Sequence, residues 1–353
     1  MKKFLINYIM QQPMRMISYA EYMNLVLYQP QYGYYMKNEE KIGRKGDFIT
    51  TSNISDIFGR TVARWFATLI TEKKLPPTFC EIGAGNGRFA KAFLEEWKEH
   101  DGPPLSYLIV EKSPYHIEKQ NELLRGSASV MHVSSLAEAA PFRGMIFSNE
   151  WFDALPVHVI KRQNGKLLEL MVACEDGELT EREMELSNEG ILAHLEKYQV
   201  ELACGHRIEV PLAMEAMAAE MVSILSEGMI VTVDYGYTRE EWKNPARRGG
   251  SLRGYHQHKL IEDVFLHPGE MDLTSHIHWD TLQMIGEGHG LETVKKCRQD
   301  EFLLQIGILN QLENHYDANP FSETSKRNRA IKSLIMPNSM SASFQVLVQE
   351  KRS

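Results

Sequence analysis

Thr78–Arg88 reads TFCEIGAGNGR, a short apolar run that ends in the acid Glu81 and passes at once into Gly83, Gly85 and Gly87. Beyond it, Phe89, Ala92, Phe93 and Trp97 share one face of a predicted helix. Strand, glycine turn and helix in that order bring backbone close to a ligand. Glycine accepts positive φ and carries no Cβ, and a helix N-terminus offers N–H groups without intrahelical partners.

The glycine spacing narrows the ligand. In a dinucleotide-binding turn the third glycine follows the second by three residues and the turn cradles a pyrophosphate. Here Gly87 follows Gly85 by two, and Glu81 stands two ahead of Gly83. This arrangement resembles motif I of the class I S-adenosylmethionine methyltransferases, whose ligand has no phosphate and instead carries a cationic ammonium that suits an acid at the strand end. A second predicted strand, SYLIVE, ends in Glu111, where a carboxylate can accept both ribose hydroxyls. A plain tight turn and an NAD site are the competing readings of the loop alone.

At 353 residues the chain is long for one simple core, and its composition, 43% hydrophobic and 24% charged, is that of a globular protein. The net charge of −8 argues against a general nucleic-acid binder, which needs a basic surface to displace counterions. Cys80, Cys174, Cys204 and Cys297 lack metal-like or paired spacing and read as free thiols of a reducing compartment. The start, MKKFLINYIM, has too short an apolar run for a signal peptide and reads as an amphipathic helix. No run approaches membrane-spanning length. The expected location is the cytoplasm, with no membrane insertion and no bound metal.

Four segments follow from the pattern. Residues 1–72 form an N-terminal helical and lid segment, with Ser18–Leu27 a helix and Gly46–Thr51 a lid; Ser55 is positioned to cap the next helix. Residues 73–156 form the first half of a doubly wound, Rossmann-like α/β core, where Ser113 and Pro114 open a helix through Leu124. Residues 157–210 form an inserted β-rich subdomain, since VIKRQNGKLLELMVAC places Asn-Gly between two strand runs. Residues 211–353 complete the core and carry a long polar loop region, 235–282. Helix Met214–Leu225, strand Met229–Val233, strand Glu292–Cys297, helix Asp300–Leu312 and strand Ser343–Gln349 give seven strands in all, the last pair arriving as strand, helix, strand.

Ligands of an open α/β sheet sit outside the carboxyl ends of its strands. There SNEWFDALP supplies Asn149, Glu150 and Asp153 beside Trp151 and Phe152. Two carboxylates can hold a cationic guanidinium bidentately for in-line methyl transfer. As structure alone, Asp153 is a helix cap and the aromatics pack.

GDFITTSNISDIFG, EIGAGNG, SNEWFDALPV, LRGYHQHK and PGEMDLTSH, in that order, resemble the MidA family of S-adenosylmethionine-dependent methyltransferases over about Ser18 to the C-terminus. The family includes a mitochondrial assembly factor of respiratory complex I that methylates a protein arginine. The resemblance implies a class I methyltransferase fold, S-adenosylmethionine as cofactor, and a protein substrate, with a respiratory-complex subunit among the candidates and a monomer or homodimer as the working form. It also implies arginine N-methylation, although Val159 stands where other arginine methyltransferases place a second glutamate, so Asp153 has to serve. Ile277, His278 and Trp279 replace the Val-Asp-Phe common in the family, which places the acceptor side in question. The candidate catalytic residues are Glu150, Asp153, Asn149 and His276. The candidate cofactor contacts are Asp47, Phe48, Thr50, Glu81, Gly83, Ala84, Gly85, Gly87, Glu111, Lys112 and Asn149. The alternatives are an assembly scaffold that binds the cofactor with little or no catalysis, and a small-molecule N- or O-methyltransferase.

Overall fold

A mixed α/β sheet, parallel except for one strand, carries the molecule. The computed structural model describes residues 1–39, 41, 56–100, 102–127, 129–312, 319, 321–336 and 340–352. In chain order the core strands are β1 (Thr78–Ile82), β2 (Ser106–Val110), β3 (Val130–Val133), β4 (Phe142–Asn149), β5 (Leu225–Tyr237), β6 (Glu292–Arg298) and β7 (Phe344–Lys351). Side by side they run β3-β2-β1-β4-β5-β7-β6. β7 lies antiparallel to both β5 and β6. The two-residue strand Ile277–His278 pairs parallel with the end of β5, so the sheet has eight strands where the sequence suggested seven.

The strands are apolar on both faces because helices cover both. Phe79, Tyr107, Phe147, Val231 and Val346 pack under the helices Ile57–Lys73, Arg88–Lys98, Gln299–Gln305 and Glu323–Ile335. Cys80, Ile82, Ile146, Ile230 and Leu347 face the helices Leu212–Ile224 and Trp279–Gly288. Ser113 caps the helix Pro114–Leu123 as expected. The helix expected through Leu312 stops sooner: Gln299–Gln305 ends before Gly307, whose φ of 89° breaks it, and a short 3-10 turn follows. The helix Glu323–Ile335 had no clear apolar stripe to announce it.

The strands His158–Gln163 and Lys166–Glu175 form the Asn-Gly hairpin, with Asn164 and Gly165 both at positive φ. Glu178–Glu185 and Arg207–Val210 extend that sheet, and Met16–Ser18 pairs with Met171–Ala173. The N-terminal segment thus shares a sheet with residues 158–210. The helices Lys2–Gln11 and Tyr19–Tyr28 pack on it, burying Leu5, Ile9, Met23, Val26 and Leu27 against Val159, Leu170 and Val172. Within the region 235–282, Arg253–His256, Lys259–Ile261 and Asp272–Thr274 form a three-stranded antiparallel sheet. Met271 and Leu273 anchor it in the same N-terminal core. Among the described residues no helix is long and apolar enough to cross a membrane.

Candidate functional site

The turn after β1 is built from alternate glycines in the left-handed region: φ is 68° at Gly83, 53° at Gly85 and 80° at Gly87. Gly83 is required twice over. Besides its φ, a Cβ there would lie 2.4 Å from Cδ1 of Trp151. The helix Arg88–Lys98 starts at Gly87 without a side-chain cap at that position.

Glu81 and Glu111 flank the turn differently. Glu81 is buried within the sheet, where the Tyr107 hydroxyl donates to its Oε2 at 2.6 Å. Burial pushes its carboxyl up to about 8, against the lowering effect of the Tyr107 hydrogen bond. Glu111 follows β2 at the carboxyl edge. Its Oε1 accepts the Lys112 and Ser113 N–H groups, each at 2.9 Å, and Gln120 Nε2 donates to Oε2 at 3.2 Å. Burial raises this carboxyl, and those donors oppose the rise. Lys112 contributes its backbone here, its side chain being exposed. Ala84 is buried within the turn.

Gln120 escaped the sequence reading. It is fully buried, and its Nε2 also donates to the Gly85 carbonyl at 2.8 Å, tying the turn to Glu111. A polar residue at an inward helical position was the available signal. Asp47, Phe48, Thr50 and the Ser55 cap lie outside the described residues.

The second wall forms where β4 ends. Glu150 has φ 50°, a left-handed conformation that costs a non-glycine residue about 1 kcal/mol. Asp234, near the end of β5, stabilises the turn that follows. Its Oδ2 accepts the N–H groups of Trp151, Phe152 and Asp153 at 3.3, 3.0 and 3.3 Å, and its Oδ1 accepts that of Tyr235 at 2.8 Å. Burial and the neighbouring Asp153 carboxylate push Asp234 upward, and the backbone donors oppose this. Asp234 thus caps this turn, and the Asp153 carboxyl also takes backbone hydrogen bonds from Asp153 and Ala154. Asn149 Nδ2 donates to Glu150 Oε1 at 3.2 Å, while Asn149 Oδ1 is buried with no protein partner.

Glu150 and Asp153 line one cavity of about 980 Å³. Tyr235 and Tyr237 of β5 line it too, as do Tyr35, Arg253, Asp272 and His276 from the N-terminal segment and the 235–282 region. Burial raises the Asp153 carboxyl, against a hydrogen bond from Tyr235 and the charge of Arg253. His276 is neutral: burial, then Arg253 and Arg247, push it down to about 3. Arg253 Nη2 lies 2.6 Å from its Nε2, and its ring sits 4.4 Å from that of Tyr237. Such an imidazole is a weak base and a good orienting group. Ile277, His278 and Trp279 are buried and do not line this cavity: Ile277 and Trp279 pack in the core on the other face of the sheet, and the His278 ring lies 4.8 Å from that of Trp242.

A mostly parallel sheet with a Gly-x-Gly-x-Gly turn after its first core strand, an acid after the second and a cavity at the carboxyl ends has the layout of an α/β nucleoside-cofactor enzyme. The family described as "Putative S-adenosyl-L-methionine-dependent methyltransferase" matches residues 61–297, and the chain belongs to it. It is 26% identical to "Protein arginine methyltransferase NDUFAF7, mitochondrial" of Danio rerio over 93% of this chain and 82% of that one. It is 29% identical to the Drosophila melanogaster homolog of that protein over 78% of this chain and 67% of the fly protein. A crystal structure from Burkholderia thailandensis, described as a "likely methyl transferase" bound to S-adenosyl-homocysteine, superposes with a TM-score of 0.89. It is 26% identical, and the match covers 99% of this chain and 92% of that one.

S-adenosylmethionine is the cofactor, and the residues present fit it. The left-handed glycine turn leaves backbone open to approach, Glu111 stands at the carboxyl edge of the sheet, where it would accept the ribose hydroxyls, and the buried Asn149 Oδ1 has an acceptor position to fill.

Proposed function

We propose that the protein methylates an arginine guanidinium of a protein substrate. The observation that carries this reading is that Glu150 and Asp153 line the same cavity, while Trp151 between them lies against Gly83 of the glycine turn, no residue of which lines that cavity. Among the described residues the cavity walls hold five carboxylates, Glu150, Asp153, Glu241, Asp272 and Glu301, against the two guanidiniums of Arg253 and Arg298. That balance favours a cationic acceptor.

Bound S-adenosylmethionine would supply an electrophilic methyl group with a neutral thioether as its leaving group. The chain's own work is alignment. Glu150 and Asp153 hold the planar cation, and charge-assisted bonds to one side of it concentrate electron density on the nitrogen that attacks. Asn149 fixes Glu150 through its amide. The raised Asp153 carboxyl takes up the proton that the guanidinium loses after transfer. His276 steadies Arg253 and Tyr237 at the rim, in an orienting role.

The test uses labelled S-adenosylmethionine, the purified protein and a lysate of cells lacking the gene. Acid hydrolysis of the labelled product should release methylarginine. Label confined to small molecules would replace this reading with a small-molecule acceptor, and no label at all would leave a cofactor-binding scaffold.

A further inference from the structure

The segment LRGYHQHK gives the cavity a pole that methyl transfer to a cation does not use. Arg253, on the first strand of the three-stranded sheet, lines the cavity and forms no ion pair among the described residues. Among the described residues its one hydrogen-bonding partner is the neutral ring of His276, and its Nε is buried without a partner there. A second guanidinium stands close behind. Arg247 lies 3.9 Å over the ring of Tyr237, which in turn packs on His276 at 4.4 Å, and the Arg247 Nε is also buried without a partner.

Arg253 is half-buried, and a guanidinium whose Nε is shielded from water without an acceptor gains from an anionic partner in the cavity. Asp153 feels the Arg253 charge but makes no ion pair with it. The planar fork of arginine matches a carboxylate, which takes two parallel N–H donors.

We infer that Arg253 forms a carboxylate-binding subsite inside the acceptor cavity, so that the acceptor presents an anionic carboxylate next to the group that is methylated. This rests on the reading of the cavity as the acceptor site. The carboxylate comes either from an acidic side chain beside the target arginine or from a C-terminus. The opposed poles then set register: Glu150 and Asp153 hold the cation, and Arg253 holds the anion. His276 is a positioning residue that keeps the Arg253 fork turned toward the cavity.

Binding of short peptides to the full chain saturated with S-adenosyl-homocysteine tests this, read by ligand-observed nuclear magnetic resonance. The probes are Gly-Arg-Asp-Gly and Gly-Arg-Asn-Gly with both ends capped, Gly-Arg-Asn-Gly with a free C-terminus, and capped Gly-Ala-Asp-Gly and Gly-Ala-Asn-Gly. One carboxylate-bearing arginine peptide should bind at least about tenfold more tightly than capped Gly-Arg-Asn-Gly, and which one does so identifies the source. Arg253→Met should abolish that preference while S-adenosyl-homocysteine affinity stays unchanged, and Arg253→Lys should keep part of it. A preference for Gly-Ala-Asp-Gly over Gly-Ala-Asn-Gly that depends on Arg253, with no gain from arginine, would keep the subsite and remove the guanidinium reading. Equal binding of charged and neutral peptides, or no binding of any, overturns the inference. So does a loss of S-adenosyl-homocysteine affinity in Arg253→Met, because the cofactor's own carboxylate would then be the partner.

Discussion

The carboxylate of Asp234 accepts the backbone N–H of Phe152 at 3.0 Å across 82 residues of sequence. With the flanking N–H groups of Trp151 and Asp153 on the same oxygen, it closes the turn that carries Glu150 and Asp153 to the cavity. The acidic wall is therefore held from β5 as well as from β4. This arrangement is compatible with the left-handed φ of Glu150, because several converging hydrogen bonds outweigh about 1 kcal/mol of backbone strain.

Asp234→Asn keeps one acceptor oxygen for the turn and sets an amide against the Tyr235 N–H. Weakening one such bond by about 1.5 kcal/mol corresponds to roughly tenfold in rate if the acidic wall shifts. Turnover should fall by that order while S-adenosyl-homocysteine affinity stays near native, since the glycine turn is untouched. Calorimetry beside a methyl-transfer assay checks both. Equal losses in binding and turnover would mean that Asp234 supports the whole fold.

How far the sequence foretold this site depends on the range of each contact. Gly83, Gly85, Gly87 and Glu111 declare themselves because spacing along one strand-turn-helix unit dictates their conformation. The Asn-Gly hairpin and the Ser113 cap are local for the same reason. Asp234 reads only as a strand ending in an acid, since its partners lie far away in sequence. Gln120 reads as one more polar residue on a helix. Met16–Ser18 is three residues long, too short for an alternation to show, yet it completes the sheet of the 158–210 insertion. Arg253 stands in a segment notable for its polarity, and only the folded cavity shows that it has no ion-pair partner among the described residues.

Gly83→Ala tests the turn. Alanine at φ 68° costs about 1 kcal/mol, and its Cβ would sit 2.4 Å from Trp151. S-adenosyl-homocysteine affinity should drop at least about tenfold. Gly83→Ala combined with Trp151→Ala relieves the clash but not the φ, so the double variant should be less than additive in a thermodynamic cycle. Native affinity in the single variant would separate the turn from cofactor binding.

Glu81 gives stability a pH dependence with a definite sign. Its folded carboxyl is raised from about 4.5 to about 8, so between those values the folded state holds a proton that the unfolded chain has released. Its contribution is present at low pH and is lost as pH rises through that window, by at most about 1.4 kcal/mol per pH unit. Glu81→Gln keeps an acceptor for the Tyr107 hydroxyl and has no proton to lose. Urea unfolding between pH 5 and pH 8 should therefore show a flatter profile for the variant. Matching profiles would mean that Glu81 is ionised in the folded protein.

The arginine reading turns on how Glu150 and Asp153 divide the work. If both hold one guanidinium, Glu150→Gln preserves shape and removes charge, and turnover should fall roughly a hundredfold with S-adenosyl-homocysteine binding nearly unchanged. Asp153→Asn should cost a comparable amount, because Val159 stands where a second glutamate would otherwise serve. Asp153 is bonded to Tyr235 and raised by burial, so it should also shape the acid limb of the pH–rate profile. That limb should vanish in Asp153→Asn and persist in Glu150→Gln. A structural role for Asp153 predicts a lower melting temperature with an unaltered limb, since a residue that only packs has no proton in the rate equation. Should both variants retain native turnover on protein substrates, the carboxylates would not hold the acceptor, and the search would move to a neutral nucleophile seated against Tyr235 and Tyr237.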